Sequence, residues 1–229
     1  MIGGENRMEQ RIAIYGAGGL GREVLQIIRD INAVQPTWAC AGFLVDPGFD
    51  SPAQVAGLPV LGGIDWLAAN PDVWVVVAIG SSAARRQVAE RIRQRCRNRF
   101  ATLVHPRAWM GEGVHLGEGT IFCAGALATT DIRIGAHVQV HVGCTIGHDA
   151  DLRDFVTLTP RGCVSGNVLI HEGTDVGAGA VILPKCVLGH WSVVGAGSVV
   201  TRSLPDNVVA VGVPARVAKE RQPGWHLPV

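Results

Sequence analysis

The sequence predicts two units in tandem: an α/β unit, then an all-β parallel helix of short strands. Near the N-terminus, strand, glycine turn and amphipathic helix follow one another in "IAIYGAGGLGREVLQII". From residue 104 an apolar residue recurs at every sixth position, without insertion, as far as residue 200. Composition bounds the class. The 229 residues are 48% hydrophobic and 17% charged, with a net charge of +1. That fits a globular chain and gives no electrostatic case for binding nucleic acid or an anionic membrane.

In the first unit, Ile12 to Tyr15 read as a strand, and Val24, Leu25, Ile27, Ile28 and Ile31 recur at helical spacing. Gly16, Gly18 and Gly21 form G-x-G-x-x-G between them, where this motif has meaning. Gly16, Gly18 and Gly19 are candidates for holding a nucleotide, because such a turn brings backbone N–H groups close to a phosphate. The alternative is that the glycines only let strand and helix pack closely. "CAGFLVD" reads as a second strand ending at Asp46, placed to accept from a ribose or base. "VWVVVAIG" is an apolar run suited to a parallel strand buried on both faces. "AARRQVAERIRQRC" reads as a helix with Val88, Ile92 and Cys96 inward, and the arginines between 85 and 99 on its solvated face. Residues 9–101 thus make a half-sized Rossmann-like domain for a nucleotide or sugar. It is too short for the two halves that grip a dinucleotide, so NAD-dependent chemistry is not expected.

In the second unit, Val104, Met110, Leu116, Phe122 and so on to Val194 and Val200 give seventeen positions, all apolar. A six-residue period of this length is the signature of a hexapeptide β-helix. Three hexads make one triangular coil, so roughly five coils stack. Each anchor points to the axis and contributes about 1.5–3 kcal/mol before chain entropy is set against it. The β-helix is expected over 102–219, followed by a C-terminal tail, 220–229.

Six cysteines without a CxxC pair read as reduced thiols, with Cys144 and Cys163 at small-residue packing positions. "MIGGENRMEQR" lacks the apolar core of a signal peptide, and no apolar run reaches the roughly 20 residues of a membrane span. A cytoplasmic location is expected. His105 reads as structural; His115, His137, His171 and His190 read as exposed coil residues. No histidine pair has metal-ligand spacing, so no metal is expected.

"CTIGHDADLRDF" breaks the ladder's pattern with His148 and Asp149 side by side. The coil gains nothing from either. Neighbours on a strand face opposite sides, so the pair is expected at a corner. A neutral imidazole is suited to act as a general base near pH 7, and an adjacent carboxylate can orient it.

"IYGAGGLGREV", "GFLVD", "VHPRAWMGEGVHLGEGT", "GHDADLRDF", "SGNVLI" and "NVVAVGVPAR" together resemble the left-handed hexapeptide-repeat acyltransferases. Within them, the chain is most similar to bacterial sugar acetyltransferases of the NeuD/PglD type. The resemblance implies a left-handed coil, against the usual right-handed crossover. It also implies a homotrimer, with acetyl-CoA lying along the β-helix between subunits. The implied activity is N-acetylation of a nucleotide-linked amino sugar for surface-polysaccharide or glycan biosynthesis. By resemblance His148 is the base and Asp149 its support. His141 stands where the family usually carries an Asn that touches the amino sugar. Thr157 replaces a His often found near the thioester, which leaves only a hydroxyl there. Gly166 matches a backbone N–H that faces the developing oxyanion. Ala178 and Ala196 match backbone positions along the pantetheine arm. Two alternatives stay open: O-acetylation of sialic acid or another sugar, and a non-catalytic trimeric scaffold or nucleotide sensor.

Overall fold

A computed structural model describes residues 9–227, so all but the last three residues of "MIGGENRMEQR" lie outside the described residues. The first unit runs β1 (Gln10–Tyr15), α1 (Gly19–Val34), β2 (Trp38–Leu44), β3 (Gln54–Val55), β4 (Leu58–Gly62), α2 (Ile64–Ala68), β5 (Trp74–Val77) and α3 (Ser82–Arg95). The strands lie in the order β3-β4-β2-β1-β5. β1 pairs in parallel with both β2 and β5. α1 covers one face with Val24, Leu25 and Ile28, and α3 the other with Val88, Ala89 and Ile92. The chain leaves β1 toward β2 on one side and later returns to β5 on the other. The crevice beyond the carboxyl ends of β1 and β5 is therefore a topological switch point. β2 ends at Leu44, so Asp46 stands two residues beyond it, at the crevice.

Seventeen two-residue strands follow, β6 (Leu103–Val104) through β22 (Val199–Val200), one per hexad. They stack as three parallel walls. Every anchor from Phe122 to Val200 is at most 2% exposed. Val104, Met110 and Leu116 are only partly buried, because the prism's open end lies there. An antiparallel hairpin, β23 (Val208–Gly212) with β24 (Ala215–Glu220), continues one wall at the far end.

The walls differ on their outer faces. Leu103, Ile121, Gln139 and Thr157 are at most 3% exposed, because the first unit packs on them. The next wall presents Trp109 and Leu127 to solvent, 54% and 40% exposed. The third carries His115, Arg133 and Asp151. Cys163 sits on the outer face of its strand, half-buried, and is not at a core packing position; Cys144 is buried as expected.

The corners repeat too. At each, the second residue takes a left-handed backbone: Gly113, Gly119 and Gly125, but also Asp131, His137, Asp149, Phe155 and Trp191 at φ between 54° and 60°. A non-glycine residue there costs roughly 1–2 kcal/mol. At His137 and Phe155 burial against the first unit offsets that cost. His137 is fully buried, edge-on to Phe100 at 4.5 Å and stacked on Phe155 at 5.1 Å. The expectation of an exposed coil residue is thus corrected: burial, with Arg93 and Arg85 nearby, pulls its pKa down to about 3. His115 is exposed as expected, while His171 and His190 are half-buried and stacked on each other at 4.3 Å. His105 is buried and bonded to Asp30, in keeping with a structural role.

Arg85 corrects the solvated-face reading of the α3 arginines. It is 0% exposed. It donates to the carbonyls of Ile79 (2.9 Å) and Gly80 (3.1 Å) in the first unit. Across the junction it donates to His137 O (2.9 Å), Phe155 O (2.8 Å) and Thr157 Oγ1 (2.9 Å). Burial lowers its pKa to about 10, which leaves it charged at neutral pH.

Candidate active site

His148 and Asp149 form a corner of the prism between Thr145–Ile146 and Asp151–Leu152. Asp149 takes the left-handed conformation, φ 57°, which Asp tolerates better than most residues. The turn brings both side chains to the outside. His148 Nδ1 lies 2.7 Å from Asp149 Oδ2, with the side chains 62% and 56% exposed. An Nδ1–H donated to the carboxylate leaves the Nε2 lone pair outward, as a base requires. The ring lies over Gly166 on the next coil. A Cβ added there would sit 2.6 Å from His148 Nε2, so any side chain would push the imidazole away.

The corner geometry also frees backbone donors. Among the described residues the N–H groups of Gly166, Ala178 and Ala196 make no hydrogen bond within the chain. Gly166 shares the corner column of His148. Ala178 and Ala196, both exposed, line a different corner with His141. These unpaired donors and small side chains suit an extended amide-bearing chain such as pantetheine.

Two cavities flank the glycine turn. One, of about 780 Å³, lies at the switch point and is lined by Gly16, Gly18, Asp46, Phe49, Ile79 and Arg91 among others. The other, of about 530 Å³, lies between α1 and the prism, where Gly19, Glu23 and Gly80 face His141, Thr157 and Pro160. The two readings of the glycine motif divide between individual glycines. A Cβ at Gly16 would lie 2.7 Å from Ala78 O, and one at Gly21 would lie 2.1 Å from Gly16 O; close packing demands both. Gly18 and Gly19 have open space instead. α1 begins without a side-chain cap or an acid in its first turn, so its leading N–H groups are free for an anion.

Asp46 lines the larger cavity, but its carboxylate is engaged. It accepts from the Tyr15 hydroxyl and, at 2.5 Å, from Arg91 Nη2. Those hydrogen bonds hold its pKa below the usual carboxylate range despite burial. His141 is half-buried, and burial lowers its pKa against the pull of Glu23. Thr157 Oγ1 is committed to Arg85 and Ser82. His141 and His148 stand at opposite ends of the Thr145–Ile146 strand, so one chain does not bring them together. Among the described residues no group of three His, Cys, Asp or Glu could hold a metal. Glu23 and Arg91 line these cavities without a place among the sequence candidates, and Arg85 departs from the solvated face expected of the α3 arginines. Glu23 had a signal: it lies one helical turn after Gly19, on the same face.

An exposed imidazole–carboxylate pair lies on this parallel β-helix, and the fold places the chain among the hexapeptide-repeat acyltransferases. The PglD N-terminal domain family matches residues 11–92. The GDP-perosamine N-acetyltransferase of Escherichia coli O157:H7 is 29% identical over 90% of this chain and 95% of its own. The structure of PerB from Caulobacter crescentus with CoA and GDP-perosamine superimposes with a TM-score of 0.82. It is 30% identical, over 91% of this chain and 97% of that one. The galactoside O-acetyltransferase of Lactococcus lactis is 39% identical over 48% of this chain, which spans about half (54%) of that relative's length. The chain belongs to the NeuD/PglD-type sugar acetyltransferases, and its coil is their left-handed parallel β-helix.

Proposed function

We propose that this chain transfers an acetyl group from acetyl-CoA to the amine of a nucleotide-linked amino sugar. The observation that carries the proposal is the His148–Asp149 pair, with Nε2 outward over Gly166. The neutral amine attacks the thioester carbonyl, forming the C–N bond. His148 Nε2 takes the amine proton, and Asp149 stabilises the imidazolium that results. The Gly166 N–H donates to the oxyanion as it develops. Collapse breaks the C–S bond, and the CoA sulfur leaves with a proton from His148.

The acceptor would span both cavities. Its nucleoside would occupy the larger one, beside Gly16, Gly18 and Asp46, and its diphosphate would lie over Gly19 and the start of α1. Its sugar would reach His141 in the smaller cavity, with Thr157, held by Arg85, as part of the wall. Acetyl-CoA would run past Ala178 and Ala196. His141 and His148 sit on different corners, so an acceptor held at one needs a base from a neighbouring copy. The apolar wall between those corners, with Trp109 and Leu127 outward, gives copies a surface to bury, in support of a homotrimer. Relatives support the substrates: PerB holds CoA and GDP-perosamine, also in His-to-Asn and His-to-Ala variants. The acetyltransferase domain of PglB from Neisseria gonorrhoeae holds acetyl-CoA.

O-acetylation of a sugar hydroxyl is the second reading, favoured by the galactoside O-acetyltransferase match. CoA release with GDP-, UDP- and dTDP-linked 4-amino sugars, set against galactosides and free sialic acid, decides between them. Turnover confined to the hydroxyl acceptors overturns N-acetylation. Failure to bind acetyl-CoA at all revives the scaffold reading.

A further inference from the structure

Resting on the nucleotide-sugar reading above, we propose that the larger cavity selects guanine, with Phe49 as its stacking face and Arg91 as the reader of its edge. Phe49 follows β2 on a turn in which its N–H meets Asp46 O at 3.3 Å. Phe49 is 74% exposed and belongs to no core cluster. Single exposed apolar residues are ordinary, but this one lines the cavity of about 780 Å³ opened by the glycine turn. An aromatic ring there offers the flat face on which any base stacks.

Arg91 lines the same cavity from α3. Its Nη2 is fixed on Asp46, and Asp46 is itself held by the Tyr15 hydroxyl. The guanidinium is thus anchored on one side. Its second Nη2 hydrogen and the Nη1 donors beside it make no hydrogen bond among the described residues. Asp46, with Tyr15 and Arg91 already on it, serves better as Arg91's anchor than as an acceptor for ribose. A fixed fork of N–H donors suits two acceptors side by side, the O6 and N7 of guanine. Uracil and thymine offer one carbonyl oxygen on the matching edge, and adenine places an amino donor there.

The test is calorimetric binding of GDP, UDP and dTDP to the full chain and to the Arg91→Gln, Arg91→Lys and Phe49→Ala variants. Unchanged acetyl-CoA affinity serves as the check on folding. Wild type should bind GDP about tenfold or more tighter than the pyrimidine nucleotides. Arg91→Gln and Arg91→Lys should bring GDP to the level of UDP and leave UDP unchanged. Phe49→Ala should weaken all three by about fivefold or more. Equal or reversed preference in wild type overturns the proposal. So does a preference that survives both Arg91 variants, or an equal loss for all three nucleotides at Arg91, which would place that side chain on the phosphates. Unchanged affinities in Phe49→Ala remove the stacking half. A wild-type chain that binds acetyl-CoA and none of the three nucleotides overturns the nucleotide-sugar reading as well.

Discussion

Two corners of one prism carry the contrast that explains this molecule. At one, His148 is 62% exposed and paired with Asp149. At the next, His137 is fully buried between Phe100 and Phe155. The coil provides the same left-handed turn at both, taken by Asp149 (φ 57°) and by His137 (φ 55°). Backbone geometry therefore does not decide which histidine can do chemistry. The surroundings outside the coil do. The first unit seals His137, leaves its Nδ1 without a partner and sets Arg93 Nη2 against Nε2. That environment holds the ring neutral and out of reach. Among the described residues nothing covers His148, and a carboxylate lies 2.7 Å from its Nδ1.

The contrast can be broken from either side. Arg85→Ala should have the largest effect, because it removes the guanidinium that ties three groups of the β-helix to two carbonyls of the first unit. Buried acceptors left unpaired should cost about 3 kcal/mol or more in denaturant unfolding. A loss under 1 kcal/mol would mean the junction holds without Arg85. Next, Gly166→Val should displace the His148 ring and lower kcat about a hundredfold while the melting temperature holds. Unchanged turnover would show that the ring need not lie there.

The smallest effect concerns pH. The pKa of His137 is about 3 when folded, against an ordinary 6.5, so protonation favours the unfolded chain. Its contribution to stability is complete above pH 6.5 and is lost as pH falls through 6.5 toward 3. Between pH 7 and pH 5 that loss is about 2 kcal/mol. His137→Phe, which keeps an aromatic ring in the stack, should remove this share of the acid sensitivity. An identical pH dependence in the variant would contradict the sealed environment.

The ladder of anchors was legible because one local period dictates it, and each anchor is buried independently of the rest. The exposed corner placement of His148 and Asp149 was legible because the coil does not require them. His137 was not, because the corner that faces the first unit depends on where the first hexad meets the sheet. A longer period held the clue. His137 and Phe155 stand 18 residues apart, as do Phe155 and Gly173 and then Trp191, one coil each, at the corner position where glycine recurs elsewhere. Two of them are large aromatics that the turn itself disfavours. Arg85 looked like its helical neighbours, and only its partners on the β-helix set it apart. Asp46 reads from sequence as an acceptor for a ribose or base, whereas its engagement by Tyr15 and Arg91 depends on two other elements.

The central claim is that the uncovered imidazole of His148 takes the acceptor's proton. Turnover and acetyl-CoA affinity of His148→Asn, measured side by side with the acceptor that wild type uses, address it directly. The account requires kcat to fall by about a hundredfold to ten-thousandfold while acetyl-CoA binds as before. Turnover within a few fold of wild type would contradict it.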